Sequence, residues 1–165
     1  MKNICMKKIN LFPILLFAPL LIGCAEEKPK AKIYLEYTEN GGCFEATATQ
    51  MYNDVVTNKK SAIYVLSDST CGGCTEAKRY LQSVGNEKHF ASYYVEVRGM
   101  STQSTDYAKI QQATKGASES DMFVIGDMMP SIYFYLNGEV AFRLSYMSDL
   151  TKAVNNYIEV SVPNS

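Results

Sequence analysis

Residues 62–84 have the sequence AIYVLSDSTCGGCTEAKRYLQSV, and this stretch decides the fold. Its first five residues form an apolar run typical of a strand that is buried on both faces of a sheet. Its last ten residues, 75–84, carry apolar side chains at the spacing of one helix face. Between these segments stand Cys71 and Cys74, separated by two glycines. A CxxC motif between a strand and a helix is typical of a thiol–disulfide redox centre.

The position of the motif at a helix start gives a physical reason for reactivity. A thiolate, rather than a thiol, attacks disulfides. The helix dipole and the free N–H groups of a helix N-terminus stabilise an anion, so we expect Cys71 to form a thiolate more readily than a free cysteine. Cys74, one turn later, is expected to be more buried and to resolve the mixed disulfide. A structural or degenerate disulfide and a metal site remain the alternatives for this pair.

The remaining apolar patterns predict alternating strands and helices. Such alternation favours parallel strands joined by crossover helices. Asn137-Gly138 lies between two β-prone runs and predicts a tight hairpin, because both turn residues must take positive φ. Gly85 predicts the end of the helix that follows the cysteines. The predicted strands are residues 33–37, 61–67, 92–98, 131–136 and 139–146, and the predicted helices are residues 44–58, 75–84, 105–114 and a last helix that begins at Ser148.

This order of elements resembles the thioredoxin fold over residues 33–160. The resemblance rests on the CxxC motif after a strand, on Pro130 directly before a strand, and on the Asn-Gly hairpin. It implies an α/β three-layer fold, in which a central mixed sheet of about five strands is flanked by helices. It also implies that Pro130 is cis and lies opposite the cysteine pair. Met129 and Pro130 would then shape the substrate site, and the position of Met129 would contact the substrate backbone and tune the redox centre.

Three positions depart from the thioredoxin pattern, and one of them is the unusual Met129 before Pro130. Thr70 precedes the motif where thioredoxins usually have Trp, and Val65 stands where they carry a buried Asp that assists proton transfer from the second cysteine. Without that carboxylate, general-base assistance to Cys74 is in doubt. The departures keep open an accessory or binding role in envelope transport or assembly, similar to that of the bacteriocin-transport accessory proteins. Cu(I) delivery is a further alternative, since Met128 and Met129 could add soft thioethers to two thiolates.

The N-terminal residues resemble the signal peptide of bacterial lipoproteins. Lys7 and Lys8 precede an apolar run over residues 9–22. The run is shorter than the ~20 residues that a membrane-spanning helix needs, and it fits a signal-peptide core. It ends in the sequence LIGC at Cys24. In that family such a cysteine receives a diacylglyceride and becomes the first residue of the mature protein. An ordinary membrane-anchor segment is the alternative, and Met6 could be the true start instead of Met1.

These patterns divide the chain into three parts. Residues 1–23 are the predicted signal peptide, residues 24–32 a charged, flexible tether, and residues 33–165 the thioredoxin-like domain. The predicted location is the cell envelope. The lipid on Cys24 would hold the protein at the extracytoplasmic side of a membrane.

Composition supports a globular domain and argues against nucleic-acid binding. The chain has 165 residues, of which 47% are hydrophobic and 20% charged, as expected for one packed domain. Removal of Lys2, Lys7 and Lys8 with the signal peptide leaves 13 basic and 17 acidic residues. A nucleic-acid footprint would need a basic stripe, which this balance does not suggest.

Export leaves three cysteines for the mature domain, because Cys5 departs with the signal peptide and Cys24 is alkylated. Cys43, Cys71 and Cys74 would then lie where disulfides can persist. Cys43 is predicted to begin a helix and to be a lone thiol, with a third redox role as the alternative. In the thioredoxin strand order it would stand about 10 Å from the CxxC strand, beyond the ~7 Å between Cα atoms that a disulfide tolerates.

Together these features predict a lipid-anchored thiol–disulfide oxidoreductase that acts on protein thiols or disulfides of the envelope. Its electrons would come from, or go to, another envelope protein. We expect no dissociable cofactor, because the cysteine pair is itself the redox group. We expect no metal either, because His89 is the one histidine of the chain.

Overall fold

A computed structural model describes residues 31–116 and 121–162. The predicted signal peptide, Cys24 and most of the predicted tether lie outside these residues. The strands are β1 (Ile33–Glu36), β2 (Gly42–Glu45), β3 (Ala62–Ser67), β4 (Ala91–Glu96), β5 (Ser131–Leu136), β6 (Glu139–Leu144) and β7 (Ile158–Ser161). The helices are α1 (Ala48–Tyr52), which continues into a π-helical turn at Asn53–Thr57, α2 (Gly72–Lys88), α3 (Thr105–Thr114) and α4 (Met147–Tyr157). Within the two described ranges, no helix has the length and apolar character needed to cross a membrane.

Five strands form a central mixed sheet in the order β2-β4-β3-β5-β6. β2, β4 and β3 run parallel, whereas β5 is antiparallel to β3 and β6 is antiparallel to β5. Helices cover both faces, which confirms the predicted α/β three-layer architecture. β3 is the central strand, and all six of its residues are buried, as expected for a strand covered on both faces.

Side chains of β3 alternate between two apolar layers. Ile63 and Val65 pack in the layer that contains residues of α2 and α4, whereas Tyr64 and Leu66 pack with residues of α1 and α3. By the same alternation, Ser67 lies on the face of Val65. β3 runs towards the cysteines and α2 runs back from them. The first turn of α2 therefore lies near the end of β3, and later residues of α2 pack in the same apolar layer as Ile63 and Val65.

The helix after the cysteines is longer than predicted. α2 continues through Gly85 to Lys88, and His89 ends it in the left-handed conformation with φ of 59°. The prediction that Gly85 stops the helix was wrong, because this glycine serves packing instead. A Cβ at Gly85 would lie 2.7 Å from the nitrogen of Gly42 and 2.8 Å from the oxygen of Phe90. Glycine therefore allows β2 to approach the helix closely.

β2 is a strand that the sequence did not predict. We expected a helix over residues 44–58, but β2 pairs in parallel with β4 and α1 begins only at Ala48. Thr47 caps this helix, since its side chain accepts the N–H of Gln50 at 3.1 Å. The helical spacing was misleading because β2 has only four residues and its partner strand is distant in sequence.

β1 lies outside the central sheet. It pairs in parallel with β7, a second strand that the sequence did not predict, so that Ile33 stands opposite Ile158. An ion pair between Lys32 and Glu159, 3.0 Å long, continues the contact. The start and the end of the described domain are therefore joined by a two-stranded sheet.

The predicted hairpin is confirmed. Asn137 and Gly138 have φ of 52° and 79°, as a two-residue turn with positive φ at both positions requires.

The last helix begins at Met147 instead of Ser148, after an N-cap residue, Tyr146, that makes no side-chain capping bond.

Candidate redox site

The cysteine pair lies at the N-terminus of α2, as predicted. Cys71 and Cys74 form a disulfide with a Cα–Cα distance of 5.2 Å, within the usual range. Cys71 is the N-cap residue, and its sulfur accepts the N–H of Cys74 at 3.0 Å. Cys74 is fully buried, whereas Cys71 is partly exposed. The exposed sulfur is therefore the one that a second molecule can reach.

The start of α2 favours negative charge on Cys71 once the disulfide is reduced. α2 has 17 residues, so its N-terminal N–H groups carry the full positive end of a helix dipole. The first turn holds no acidic residue that would oppose this effect. The same N–H of Cys74 that contacts the Cys71 sulfur in the disulfide can donate to a Cys71 thiolate.

Pro130 lies opposite the cysteines and is cis, as the resemblance implied. A Cβ built on Gly73 would lie 3.2 Å from Cδ of Pro130 and 3.9 Å from the sulfur of Cys71. The proline ring therefore packs against the first turn of α2, next to the exposed sulfur. Met129 is partly buried against the apolar layer of α1 and α3, while Met128 is exposed.

Hydrogen bonds fix the loop that precedes the motif. The carboxylate of Asp68 accepts the N–H of Thr70 at 2.7 Å and its O–H at 2.6 Å. The side-chain bond first and the backbone bond second lower the pKa of Asp68. The carboxylate of Glu96 accepts the N–H of Ser69 at 2.9 Å. Thr70 is thus held in a polar turn that also contains Asp68.

The interior beside the cysteines combines apolar side chains with a buried serine. Val65 is fully buried in the layer of α2, so no carboxylate occupies the position where thioredoxins carry Asp. Ser67 lies on the same face, nearer to the motif, and is also fully buried. Within the described residues its hydroxyl has no hydrogen-bond partner. Sequence reasoning missed Ser67, although a polar residue that ends an apolar strand is a recognisable signal.

Three further residues that the sequence did not single out join the segments on either side of Met129–Pro130. Arg143 of β6 forms an ion pair with Asp127 at 2.8 Å and also donates to the hydroxyl of Ser131 at 2.8 Å. No local pattern could have shown this, because the partners stand 12 and 16 residues before Arg143 in sequence.

Cys43 is not part of this site. It lies in β2 and does not begin a helix, so the prediction of its local structure was wrong. β4 separates β2 from β3, as the thioredoxin strand order implied, and Cys43 is a free thiol. Burial raises the pKa of Cys43, and the hydrogen bond with Ser92 opposes this only in part.

A polar cavity of about 620 Å³ lies at the opposite end of the sheet, beside the start of β3 and β4. Asp54, in its wall, pairs with Lys60 at 3.0 Å and accepts the O–H of Tyr64 at 2.7 Å. Since the cysteines follow the other end of β3, this cavity is separate from the redox site.

Neither the histidine nor any acidic cluster forms a metal centre in the described ranges. No group of three or more His, Cys, Asp or Glu residues there could hold a metal ion. His89 ends α2 and its ring lies 5.1 Å from the ring of Tyr37.

No protein-family model and no curated protein matches the chain. Solved structures do match. A chain of the complex between ferredoxin:thioredoxin reductase and thioredoxin f2 is 10% identical, with a TM-score of 0.51 over 72% of this chain and 96% of that chain. Oxidized thioredoxin O1 from Arabidopsis thaliana is 10% identical, with a TM-score of 0.50 over 70% and 98%. Thioredoxin from Malassezia sympodialis is 16% identical, with a TM-score of 0.50 over 73% and 94%.

At these identities the likeness shows the fold: the chain has a thioredoxin fold. On that fold it carries a disulfide-bonded CxxC pair, Cys71 and Cys74, beside the cis peptide Met129–Pro130.

Proposed function

We propose that this protein is a thiol–disulfide oxidoreductase, and that a lipid on Cys24 holds it at the extracytoplasmic face of a membrane. One observation carries the redox part. The Cys71–Cys74 disulfide spans the N-cap of α2, with one sulfur buried and the other partly exposed beside cis-Pro130. This arrangement separates an attacking thiol from a resolving thiol, as disulfide exchange requires.

In the reducing direction, the thiolate of Cys71 attacks one sulfur of a substrate disulfide. A bond forms between Cys71 and the substrate, the substrate S–S bond breaks, and the leaving thiolate takes up a proton. Cys74 then loses its proton to solvent and attacks the sulfur of Cys71, which releases the second substrate thiolate to be protonated. The substrate gains two electrons and two protons, and the pair becomes the disulfide seen in the structure. Oxidation of a substrate dithiol is the reverse sequence.

The cycle needs a second protein and no dissociable cofactor. After each turnover another dithiol or disulfide protein must return or remove two electrons. The matched complex of a thioredoxin reductase with thioredoxin f2 shows such a pairing for that protein. For this chain we propose a partner in the cell envelope.

An accessory role in envelope transport or assembly is the second candidate. It is favoured by the buried Val65, which leaves Cys74 without a carboxylate base, and by Thr70, which binds Asp68 instead of providing an aromatic surface. In that case the cysteine pair would support binding without turnover.

Trapping of the mixed disulfide tests the enzyme function. Reduced Cys74→Ser protein should accumulate a covalent adduct with a disulfide-bonded peptide, detected by mass spectrometry, and Cys71→Ser protein should not. Cys43→Ser is the matched control and should turn over like the wild type in an insulin-reduction assay. If the wild type and both CxxC variants are equally inactive, the oxidoreductase proposal fails. Stoichiometric Cu(I) binding that both variants lose would then support metal delivery.

The anchor is tested separately. Cys24→Ala protein expressed in bacteria should lose incorporation of a labelled fatty acid and should leave the membrane fraction, while Cys5→Ala protein should keep both. Retention of the label in Cys24→Ala protein would contradict lipidation at this cysteine without affecting the redox proposal.

A further inference from the structure

The segment before the cis peptide contains a closed turn at Val124–Asp127. The N–H of Asp127 donates to the carbonyl oxygen of Val124 at 3.0 Å, and the N–H of Val124 donates to the Asp127 carboxylate at 3.1 Å. Gly126, with φ of 103°, supplies the backbone conformation that this turn needs. The turn is therefore a defined structure that carries Asp127 at its end.

Arg143 joins this turn to the sheet. Its Nη2 atom lies 2.8 Å from the Asp127 oxygen that also accepts the N–H of Val124, and 2.8 Å from the hydroxyl oxygen of Ser131. The Ser131 hydroxyl in turn donates to the carbonyl oxygen of Met128 at 2.9 Å. Met128 and Ser131 are the residues immediately before and after the Met129–Pro130 pair. A single guanidinium thus holds both ends of the cis peptide.

We propose that Arg143 is a positioning residue that fixes the Met129–Pro130 peptide against Cys71; this inference rests on the proposed oxidoreductase function. The packing that it protects is close, since a Cβ built on Gly73 would lie 3.2 Å from Cδ of Pro130. If the peptide were free to move, a polypeptide substrate would meet Cys71 in many orientations, and productive ones would be rarer.

The surroundings of Arg143 argue against a role in stability alone. Its side chain is only 17% exposed, and within the described residues its buried Nε atom has no hydrogen-bond partner. The guanidinium also lies 5.4 Å from the ring centroid of Tyr133. Replacement of a whole buried ion pair by apolar residues is often neutral, so stability alone does not account for this pair. The two N–H groups of Nη2 give what an apolar chain cannot, namely directed contacts to two separate groups.

Two substrates of different size distinguish positioning from sulfur chemistry. Hydroxyethyl disulfide needs only the Cys71 sulfur, whereas a disulfide-bonded peptide must also dock beside Met129–Pro130. In single-turnover reactions of the full reduced chain, Arg143→Met should lower the second-order rate constant about tenfold for the peptide and less than about twofold for hydroxyethyl disulfide. Arg143→Lys, which keeps the charge but not the planar guanidinium, should fall between. Arg79→Met, which removes an exposed arginine from α2, is the control and should match the wild type.

Asp127→Asn weakens the same ion pair from the other side and leaves β6 intact, so it decides the outcome if Arg143→Met fails to fold. It should show the same selective loss for the peptide, and the double variant should be no worse than the more impaired single variant. Equal losses for both substrates, or wild-type rates for Arg143→Met and Asp127→Asn, would overturn the positioning role. A wild-type protein inactive towards both substrates would overturn the oxidoreductase function itself, and the inference with it.

Discussion

Gly73 packs against Pro130: a Cβ built on Gly73 would lie 3.2 Å from Cδ of the proline and 3.9 Å from the sulfur of Cys71. The neighbouring Gly72, by contrast, has no atom within 4 Å of the corresponding Cβ position. The two glycines of the motif are therefore not equivalent, although the sequence presents them identically.

Gly73→Ala should impair disulfide exchange, because the added methyl group must displace the Pro130 ring or the first turn of α2. We expect the rate constant for insulin reduction to fall about tenfold, which corresponds to ~1.4 kcal/mol in activation free energy. Gly72→Ala is the matched control. It should keep wild-type activity and gain up to ~1 kcal/mol in stability, since Ala is the better helix former. Equal activity of the two variants would contradict the close packing of Pro130 on Gly73.

Gly85→Ala should destabilise the fold even though it raises helix propensity. Its Cβ would stand 2.7 Å from the Gly42 nitrogen and 2.8 Å from the Phe90 oxygen, and backbone atoms cannot rotate away. We expect a loss of ~1–3 kcal/mol in the free energy of unfolding, measured by urea denaturation. Ser83→Ala, at an exposed position of the same helix, should change it by less than ~0.5 kcal/mol. A stabilised Gly85→Ala protein would show that β2 does not press on α2.

Cys43 should be slow to react with alkylating agents. Burial raises the pKa of its thiol, so at pH 8 a smaller fraction is thiolate than in the unfolded chain. With Cys71 and Cys74 replaced by Ser, we expect iodoacetamide to modify Cys43 at least about tenfold more slowly in the folded protein than in the same protein in urea. Similar rates in the two conditions would mean that Cys43 is exposed.

The buried tyrosines should make the fold sensitive to alkaline pH. Burial first, and the hydrogen bond to Asp54 second, raise the pKa of Tyr64 above the ordinary value of 10.0. Burial likewise raises the pKa of Tyr133 and of Tyr135. A group whose pKa is raised by folding contributes stability that is complete below the unfolded-state pKa and is lost as pH rises above it. The free energy of unfolding should therefore decline above about pH 10.

Tyr64→Phe isolates one of these contributions. It removes the O–H that donates to Asp54, so we expect a loss of ~1–2 kcal/mol at pH 7 and a shallower decline above pH ~10 than in the wild type. Tyr146→Phe is the control, because that side chain is 57% exposed and should leave the profile unchanged. Parallel profiles for the wild type and Tyr64→Phe would contradict this prediction. Urea denaturation between pH 7 and 11 gives the comparison.

The sequence predicted the features of the structure that are determined by residues close together in the chain. The Asn137-Gly138 turn and the cysteines at a helix start are set by neighbouring residues, and both are confirmed. The cis state of Pro130 came from the resemblance and is confirmed as well.

Features that depend on distant partners were missed. Gly85 has the composition of a helix stop, yet Gly42 and Phe90 determine its role from outside the helix. β2 and β7 are four-residue strands whose pairing is visible only once β4 and β1 are in place. Arg143 follows an apolar run with no local hint that Asp127 and Ser131 converge on it.

The β1–β7 sheet has a mechanical consequence for a domain held by its N-terminus. Tension on the predicted tether enters the fold at Lys32, which is bonded to Glu159, and passes along β1 into β7 and then α4. Parallel strands joined by a ladder of hydrogen bonds carry such a load in shear across several bonds. The cysteines stand on the β3–α2 connection, outside this path. If the proposed lipid on Cys24 holds the chain at a membrane, tension would therefore act on a part of the fold away from the redox site.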